Sequence, residues 1–253
     1  MTPAISLTDV SRHSDAGVIL QGIQLHALPG EFICVLGASG CGKSTLLHLV
    51  AGLDAPSTGS VEVPGGRPAL LFQDHALFPW LSAGRNIEFA LERRGVPRAE
   101  RRGEAEELLR LVRLPQAYDR RVHELSGGMR QRVALARALA QGSEVLLMDE
   151  PFAALDAITR DVLHDELSRV WSERKLTVLF VTHNVREAVR LGQRVVLMAP
   201  RPGRITREWT VDIPYPRRIE DADVIGLARE ITGQLRTEAD GHRGREADDA
   251  DPR

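Results

Sequence analysis

Gly37-Ala38-Ser39-Gly40-Cys41-Gly42-Lys43-Ser44-Thr45 is the stretch on which the fold turns. Two glycines separated by four residues and followed by Lys-Ser describe a loop that wraps phosphate. The glycines let the backbone approach closely. Successive N–H groups form an anion nest at the start of a helix, where the dipole is positive. The spacing assigns Lys43 to the β- and γ-phosphates of a nucleotide and the Ser44 hydroxyl to Mg2+. The context agrees: Phe32-Ile33-Cys34-Val35-Leu36 precedes the loop as an apolar strand, and residues 46–51 follow as a helix.

Further unbroken apolar runs at 69–72, 145–148, 178–181 and 195–198 read as strands buried on both faces of a parallel sheet. Helical stretches between them indicate an α/β layered fold. Residues 5–27 read as antiparallel strands leading in. The Arg-rich segment from Asp74 reads as a helical subdomain, about 74–140, inserted in the α/β core. There Ala105, Leu108, Leu109 and Val112 line one helix face. A last helix is expected over about 219–235. Residues 238–253, polar and without apolar period, read as a disordered tail, leaving 1–237 as a single domain.

Asp149-Glu150 closes the strand at 145–148. Carboxylates at the C-terminal end of a parallel strand face the ligand crevice. Asp149 is placed to hold Mg2+ through water, and Glu150 to orient and deprotonate an attacking water. Leu125-Ser126-Gly127-Gly128-Met129-Arg130-Gln131-Arg132 begins another helix, with Ser126 as its N-cap. Two glycines bare the N–H groups at the positive end of its dipole. A second anion site and a plain helix start are equally good readings of that stretch alone.

Composition excludes several classes. The chain has 253 residues, 43% hydrophobic and 27% charged, enough for a substantial core. A net charge of −2 gives no basic surplus for nucleic acid. No window approaches the roughly 18 apolar residues of a membrane span, and residues 1–10 lack the pattern of a secretory signal. Cys34 and Cys41 suggest no disulfide framework. Arginine outnumbers lysine 31 to 2, and Lys43 is one of the two survivors. That marks it as a place where a compact ammonium is required and a planar guanidinium is not accepted.

The phosphate loop, then LSGGMRQR, then VLLMDEP with ALDA beyond it, resembles the ATP-binding-cassette transporter ATPases over about residues 4–212. The resemblance implies ATP and Mg2+ as cofactors, with residues 37–45 on the phosphates. It implies a head-to-tail dimer with a second copy of the chain. Ser126, Gly127 and Gly128 of each subunit would then meet the ATP held by the other. It implies that Gln73 contacts Mg2+ and the attacking water, that Asp156 lies in a loop crossing the dimer interface, and that His183 contacts the γ-phosphate. As a lone residue after a strand, His183 would read first as structural. Three features depart from the pattern: His13 and Ser14 stand where an aromatic stacks on adenine, Met129 replaces a common glutamine, and Asn184 a frequent aspartate.

A single cassette without a pore segment implies two transmembrane permease subunits, and indirectly a solute-binding protein, at the cytoplasmic face of the cell membrane. The chain leaves no room for the regulatory domain of sugar-importer ATPases. Phe72-Gln73-Asp74, Leu77-Phe78-Pro79-Trp80, Asn86, the run 151–160 and Pro202-Gly203-Arg204 resemble the nitrate, sulfonate and taurine importer branch. Aliphatic sulfonates are favoured, with taurine and nitrate as alternatives. A soluble cassette acting on DNA or ribosomes is disfavoured by the single cassette and the absence of heptads. A cassette that binds without hydrolysing is disfavoured by Glu150 and His183. Residues 73–89 read as the dock for the membrane subunit, the alternative being that Phe78 and Trp80 pack into the subdomain's own core. Trp171 with Ile158, Val162, Leu163, Leu167 and Val170 reads as helix core, and His48, His123 and His164 as structural or surface residues. The cluster Arg93, Arg94, Arg98, Arg101 and Arg102 reads as a solvated helix–turn, or in the minority reading as a contact for lipid headgroups.

Overall fold

Alternation of apolar runs and helical stretches is realised in the computed structural model, which describes residues 2–15, 17–74, 76–200 and 202–249. In chain order the elements are β1 Ile5–Ser14, β2 Gly17–Ala27, β3 Phe32–Gly37, α1 Lys43–Val50, β4 Thr58–Glu62 and β5 Ala69–Leu71. Then come α2 Ala83–Arg93, α3 Arg98–Leu111, a short 3-10 turn Val122–Glu124, α4 Gly127–Leu139, β6 Val145–Asp149 and α5 Ala157–Arg174. The remainder is β7 Thr177–Thr182, α6 Val185–Leu191, β8 Arg194–Ala199, β9 Arg204–Thr210 and α7 Ala222–Asp249. The result is the expected α/β class with an antiparallel N-terminal region.

Two compact units result, Met1–Pro64 with Leu179–Arg253, and Gly65–Val178. The second is wider than the helical insertion expected over about 74–140, because it also takes in β5, β6 and α5. The first unit holds an antiparallel sheet, ordered β2-β1-β4. It also holds β3 paired in parallel with β8, and β8 paired antiparallel with β9. Every residue of β3 is buried, as its uninterrupted apolar sequence requires. In the second unit β5 and β6 pair in parallel, with Leu71 opposite Met148. Ala105, Leu108 and Leu109 are buried along α3 and Val112 at its C-cap, the stripe that its 3.6-residue period specifies.

Three readings change. β5 ends at Leu71, so Phe72 lies beyond the strand and is exposed. On α5, Leu163, Leu167 and Val170 are buried, but Ile158 and Val162 face solvent and Trp171 is half-buried. The buried three lie at i, i+4 and i+7; Ile158 and Val162 fall off that stripe. The last helix, α7, runs on to Asp249, through most of the stretch expected to be disordered. Half of residues 238–249 are the strong helix formers Glu, Ala and Arg, and no proline intervenes before Pro252. Residues 250–253 of that stretch lie outside the described residues.

Candidate functional site

The first unit carries the phosphate loop. β3 ends at Gly37, and Gly40 and Gly42 take positive φ of 78° and 94° before α1 begins. Only glycine fits at two of these positions. A Cβ on Gly37 would lie 2.5 Å from Cys41 Sγ and 2.7 Å from the Met198 carbonyl oxygen, and one on Gly42 would lie 2.6 Å from Leu20. Ala38, Ser39, Gly40 and Ser44 are exposed. The N-terminus of α1 has no side-chain cap and no acidic residue in its first turn. Its leading N–H groups and positive dipole end are thus met by no carboxylate of the helix's own first turn, as an incoming phosphate requires. Lys43 is buried, and its Nζ donates to the carbonyls of Gly37 at 2.8 Å and Ala38 at 3.0 Å. The cradle therefore fits a polyphosphate, with Ser44 offering a hard oxygen to Mg2+.

His183, also in this unit, follows β7 and is exposed. Asn184 beside it caps α6, its Oδ1 accepting from Arg186 N at 3.1 Å and Glu187 N at 3.3 Å. Thus the departure from aspartate keeps the capping function. His13 lies exposed near the end of β1, its backbone N donating to Ser57 Oγ at 3.0 Å.

The second unit carries the carboxylates and the signature. Because β5 and β6 are parallel and Leu71 faces Met148, Gln73 and Asp149 emerge from the same edge. Gln73 is exposed, whereas Asp149 and Glu150 are half-buried. Glu150 takes φ of +43°, a conformation rare for a residue with a side chain. Strain of this kind, placed just past a strand end, is a marker of function.

Ser126 caps α4, its Oγ accepting from Met129 N at 3.3 Å. Asp156 caps α5, its carboxylate accepting from Thr159 N at 2.9 Å. That backbone N–H holds the Asp156 carboxyl below the usual carboxylate range. Thr159 joins the two motifs, since a Cβ on Gly128 would meet its Cγ2 at 2.5 Å. Arg160 braces the intervening loop by donating from Nε to Phe152 O at 3.2 Å and from Nη2 to Leu155 O at 2.6 Å. Sequence reasoning missed Thr159 and Arg160. Both lie in the run 151–160, but the cap bond uses only the Thr159 backbone N–H, which any residue supplies, and nothing in the spacing marks either side chain's contact.

The segment 77–89 presents an aromatic patch. Phe78 lies 5.5 Å from Trp80 and 4.9 Å from Phe89, ring centre to ring centre. Trp80 is 67% exposed and Phe89 41%. Buried Asn86 shapes the loop, accepting from Phe78 N at 2.8 Å and donating to Ser82 O at 2.9 Å. Beside the patch an open cavity of about 630 Å³ is lined by Leu81, Arg85, Phe89, Arg101 and Tyr118, among others. In the arginine cluster Arg94 pairs with Glu104, Arg101 with Glu92 and Arg102 with Glu106. His164 is buried edge-on against Phe152, His48 is half-buried and His123 exposed.

No helix among the described residues is long and apolar enough to cross a membrane. Residues 20–153 match the family model for ABC transporters. Over 211 residues the chain is 48% identical to a taurine import ATP-binding protein of Chromobacterium violaceum, covering 81% of this chain and 80% of that one. It is 43% identical over 224 residues to a nitrate import ATP-binding protein of Synechocystis, covering 83% of each. Among solved structures, a dimeric ATP-binding cassette in a post-hydrolysis state with ADP and Pi superposes with a TM-score of 0.71. That pair is 31% identical, and the match covers 83% of this chain and all of the other. The chain thus belongs to the ABC transporter family, as an ATPase cassette whose cofactors are ATP and Mg2+.

Proposed function

We propose that this cassette couples ATP hydrolysis to the import of an aliphatic sulfonate, with taurine and nitrate as the alternatives. An importer role is common to the taurine and nitrate relatives. The motifs around Gln73, Asp156 and Gly203 support the nitrate, sulfonate and taurine branch as a whole, and the taurine relative agrees with a sulfonate within it, since taurine is itself a sulfonate. Substrate is selected by other subunits, so the direct test is functional. The cassette is reconstituted with its permease in vesicles, and turnover is measured as solute-binding protein loaded with an alkanesulfonate, taurine or nitrate is added. Stimulation by nitrate alone would discard the sulfonate reading.

The observation that carries the catalytic reading is the uncapped start of α1 behind a loop in which Gly37 and Gly42 admit no side chain. Residues 37–45 bind the phosphates, with Lys43 as their cation. Ser44, Asp149 and Gln73 hold Mg2+, which when bound supplies charge neutralisation at the transferring phosphoryl oxygens. Glu150 accepts a proton from the attacking water, Gln73 orients that water, and His183 donates to the γ-phosphate.

Two copies work head to tail, each lending Ser126, Gly127 and Gly128 to its neighbour's ATP, with Asp156 at the interface. Mixing a Ser126→Arg subunit with a Lys43→Ala subunit tests this, because their heterodimer keeps one undamaged site. Regained turnover supports the arrangement. The dimer sits peripherally on the cytoplasmic face of the membrane against two permease subunits, one docking on residues 73–89 of each copy, where the aromatic patch and the cavity beside it lie.

A further inference from the structure

A buried polar group lies directly behind the exposed His183. Thr182, Glu187, Arg190 and Arg217 are each at most 7% exposed, all within the first unit. Both neighbours of His183 are tied into this group. The Asn184 N–H donates to Thr182 Oγ1 at 3.0 Å. A hydroxyl that accepts there must send its single proton elsewhere, and Thr182 Oγ1 donates to Glu187 Oε2. Asn184 returns the link by accepting from the Glu187 N–H. The far end of α6 is anchored as well. Arg217 Nη1 donates to Val189 O at 2.8 Å and Gly192 O at 2.6 Å, and Nη2 to Val211 O at 3.0 Å. The backbone of His183 is flanked on both sides by a closed ring of hydrogen bonds whose one acidic member is Glu187.

We propose that Glu187 is a positioning residue for His183, acting through the Thr182 hydroxyl. The inference rests on the reading of His183 as the γ-phosphate contact. Nothing in it requires Glu187 to touch nucleotide. Its carboxylate dictates which way the Thr182 hydroxyl points, and that hydroxyl fixes the Asn184 N–H and with it the turn carrying the imidazole. Displacing a catalytic group by an ångström can cost about 10²-fold in rate without any loss of substrate affinity.

Steady-state ATPase assays on the full chain test the proposal. Glu187→Ala and the near-isosteric Thr182→Val should each lower kcat about 10- to 100-fold while leaving KM for ATP within about twofold. Thr182→Ser and Glu187→Gln, which keep a hydroxyl and an accepting oxygen, should restore most of the rate. Should Glu187→Ala fail to fold, Thr182→Val carries the test. In a His183→Ala background, Thr182→Val should produce no further loss. An equal loss in that background, no loss in the wild-type background, or a loss that Thr182→Ser does not repair would each overturn the proposal. A His183→Ala protein with normal turnover would instead refute the role of His183 itself. The ring resonances of His183 then decide the positioning claim separately. A shift in Thr182→Val that Thr182→Ser does not show supports it, and unchanged resonances overturn it.

Discussion

Trp80→Ala separates a docking residue from a core residue, and the exposure of the indole sets the magnitudes. A tryptophan side chain presents about 250 Å², and Trp80 is 67% exposed. Roughly 80 Å² is therefore covered within the chain, worth at most about 2 kcal/mol to folding. Alanine retains part of that, so a loss of about 1 kcal/mol, or a fall of ~2–4 °C in melting temperature, is expected. A fully buried aromatic would cost about 3–5 kcal/mol. The remaining ~170 Å² is available to a partner, about 4 kcal/mol gross. Ordering the side chain takes back about 1 kcal/mol. Removing the indole should then weaken assembly with the permease by ~2–3 kcal/mol, about 30- to 150-fold in Kd. Binding of the purified cassette to nanodisc-embedded permease, measured beside melting temperature and basal ATPase rate, gives all three quantities. Wild-type affinity in a protein that melts and hydrolyses normally would remove Trp80 from the dock. A fall above about 10 °C, the scale of a ~3 kcal/mol loss, would show that the indole serves the fold.

Four further outcomes follow from the site. Glu150→Gln should lower turnover ~10²–10⁴-fold with nucleotide affinity unchanged in equilibrium binding; near-normal turnover would dismiss Glu150 as the base. Lys43→Arg should weaken ATP binding about 10- to 100-fold, the scale of one lost charge-assisted hydrogen bond, whereas Lys175→Arg should leave binding and rate unaltered. Gly128→Ala should destabilise by ~1–3 kcal/mol through its clash with Thr159; adding Thr159→Ser should recover the melting temperature but not a phosphate contact, so turnover separates the two demands on that glycine. Asp156 titrates below its unfolded value near ~3.9, so its capping contribution is complete above that pH and is lost as the pH falls through the depressed folded-state value. Asp156→Asn, which keeps an accepting oxygen, should therefore show a flatter acid limb in melting temperature against pH than the native chain.

Much of the fold was legible because its signals are local. The phosphate loop is specified by residue type at fixed spacing, and the positive φ of Gly40 and Gly42 is what those glycines are for. Apolar runs became strands within a residue or so at each end, since a run buried on both faces leaves no other economical structure. Ser126 capped α4 as its side chain required. What escaped is tertiary. Ile158 and Val162 are as apolar as Leu163, and only the face that α5 turns inward separates them. Thr159 matters because α5 passes close to Gly128, and Glu187 because α6 folds its carboxylate back onto the residue before His183. Neither contact leaves a trace in spacing or composition. The strain at Glu150 was equally invisible, since a glutamate after a strand does not announce a left-handed backbone.

The scarcity of lysine shows where a compositional argument gains force and where it stops. Two lysines survive among thirty-three basic residues, and the inference that each is irreplaceable would be wrong for one of them. Lys175 is exposed and closes α5 with φ of 52°, a C-cap position that makes no demand on an ammonium group. Lys43 is buried, with its Nζ held between two carbonyls of a loop in which Gly37 and Gly42 leave no room for a Cβ. A guanidinium is longer and planar, and placing it there would require the loop to open. Composition narrows the search to two residues; burial and the donor geometry of a single nitrogen choose between them.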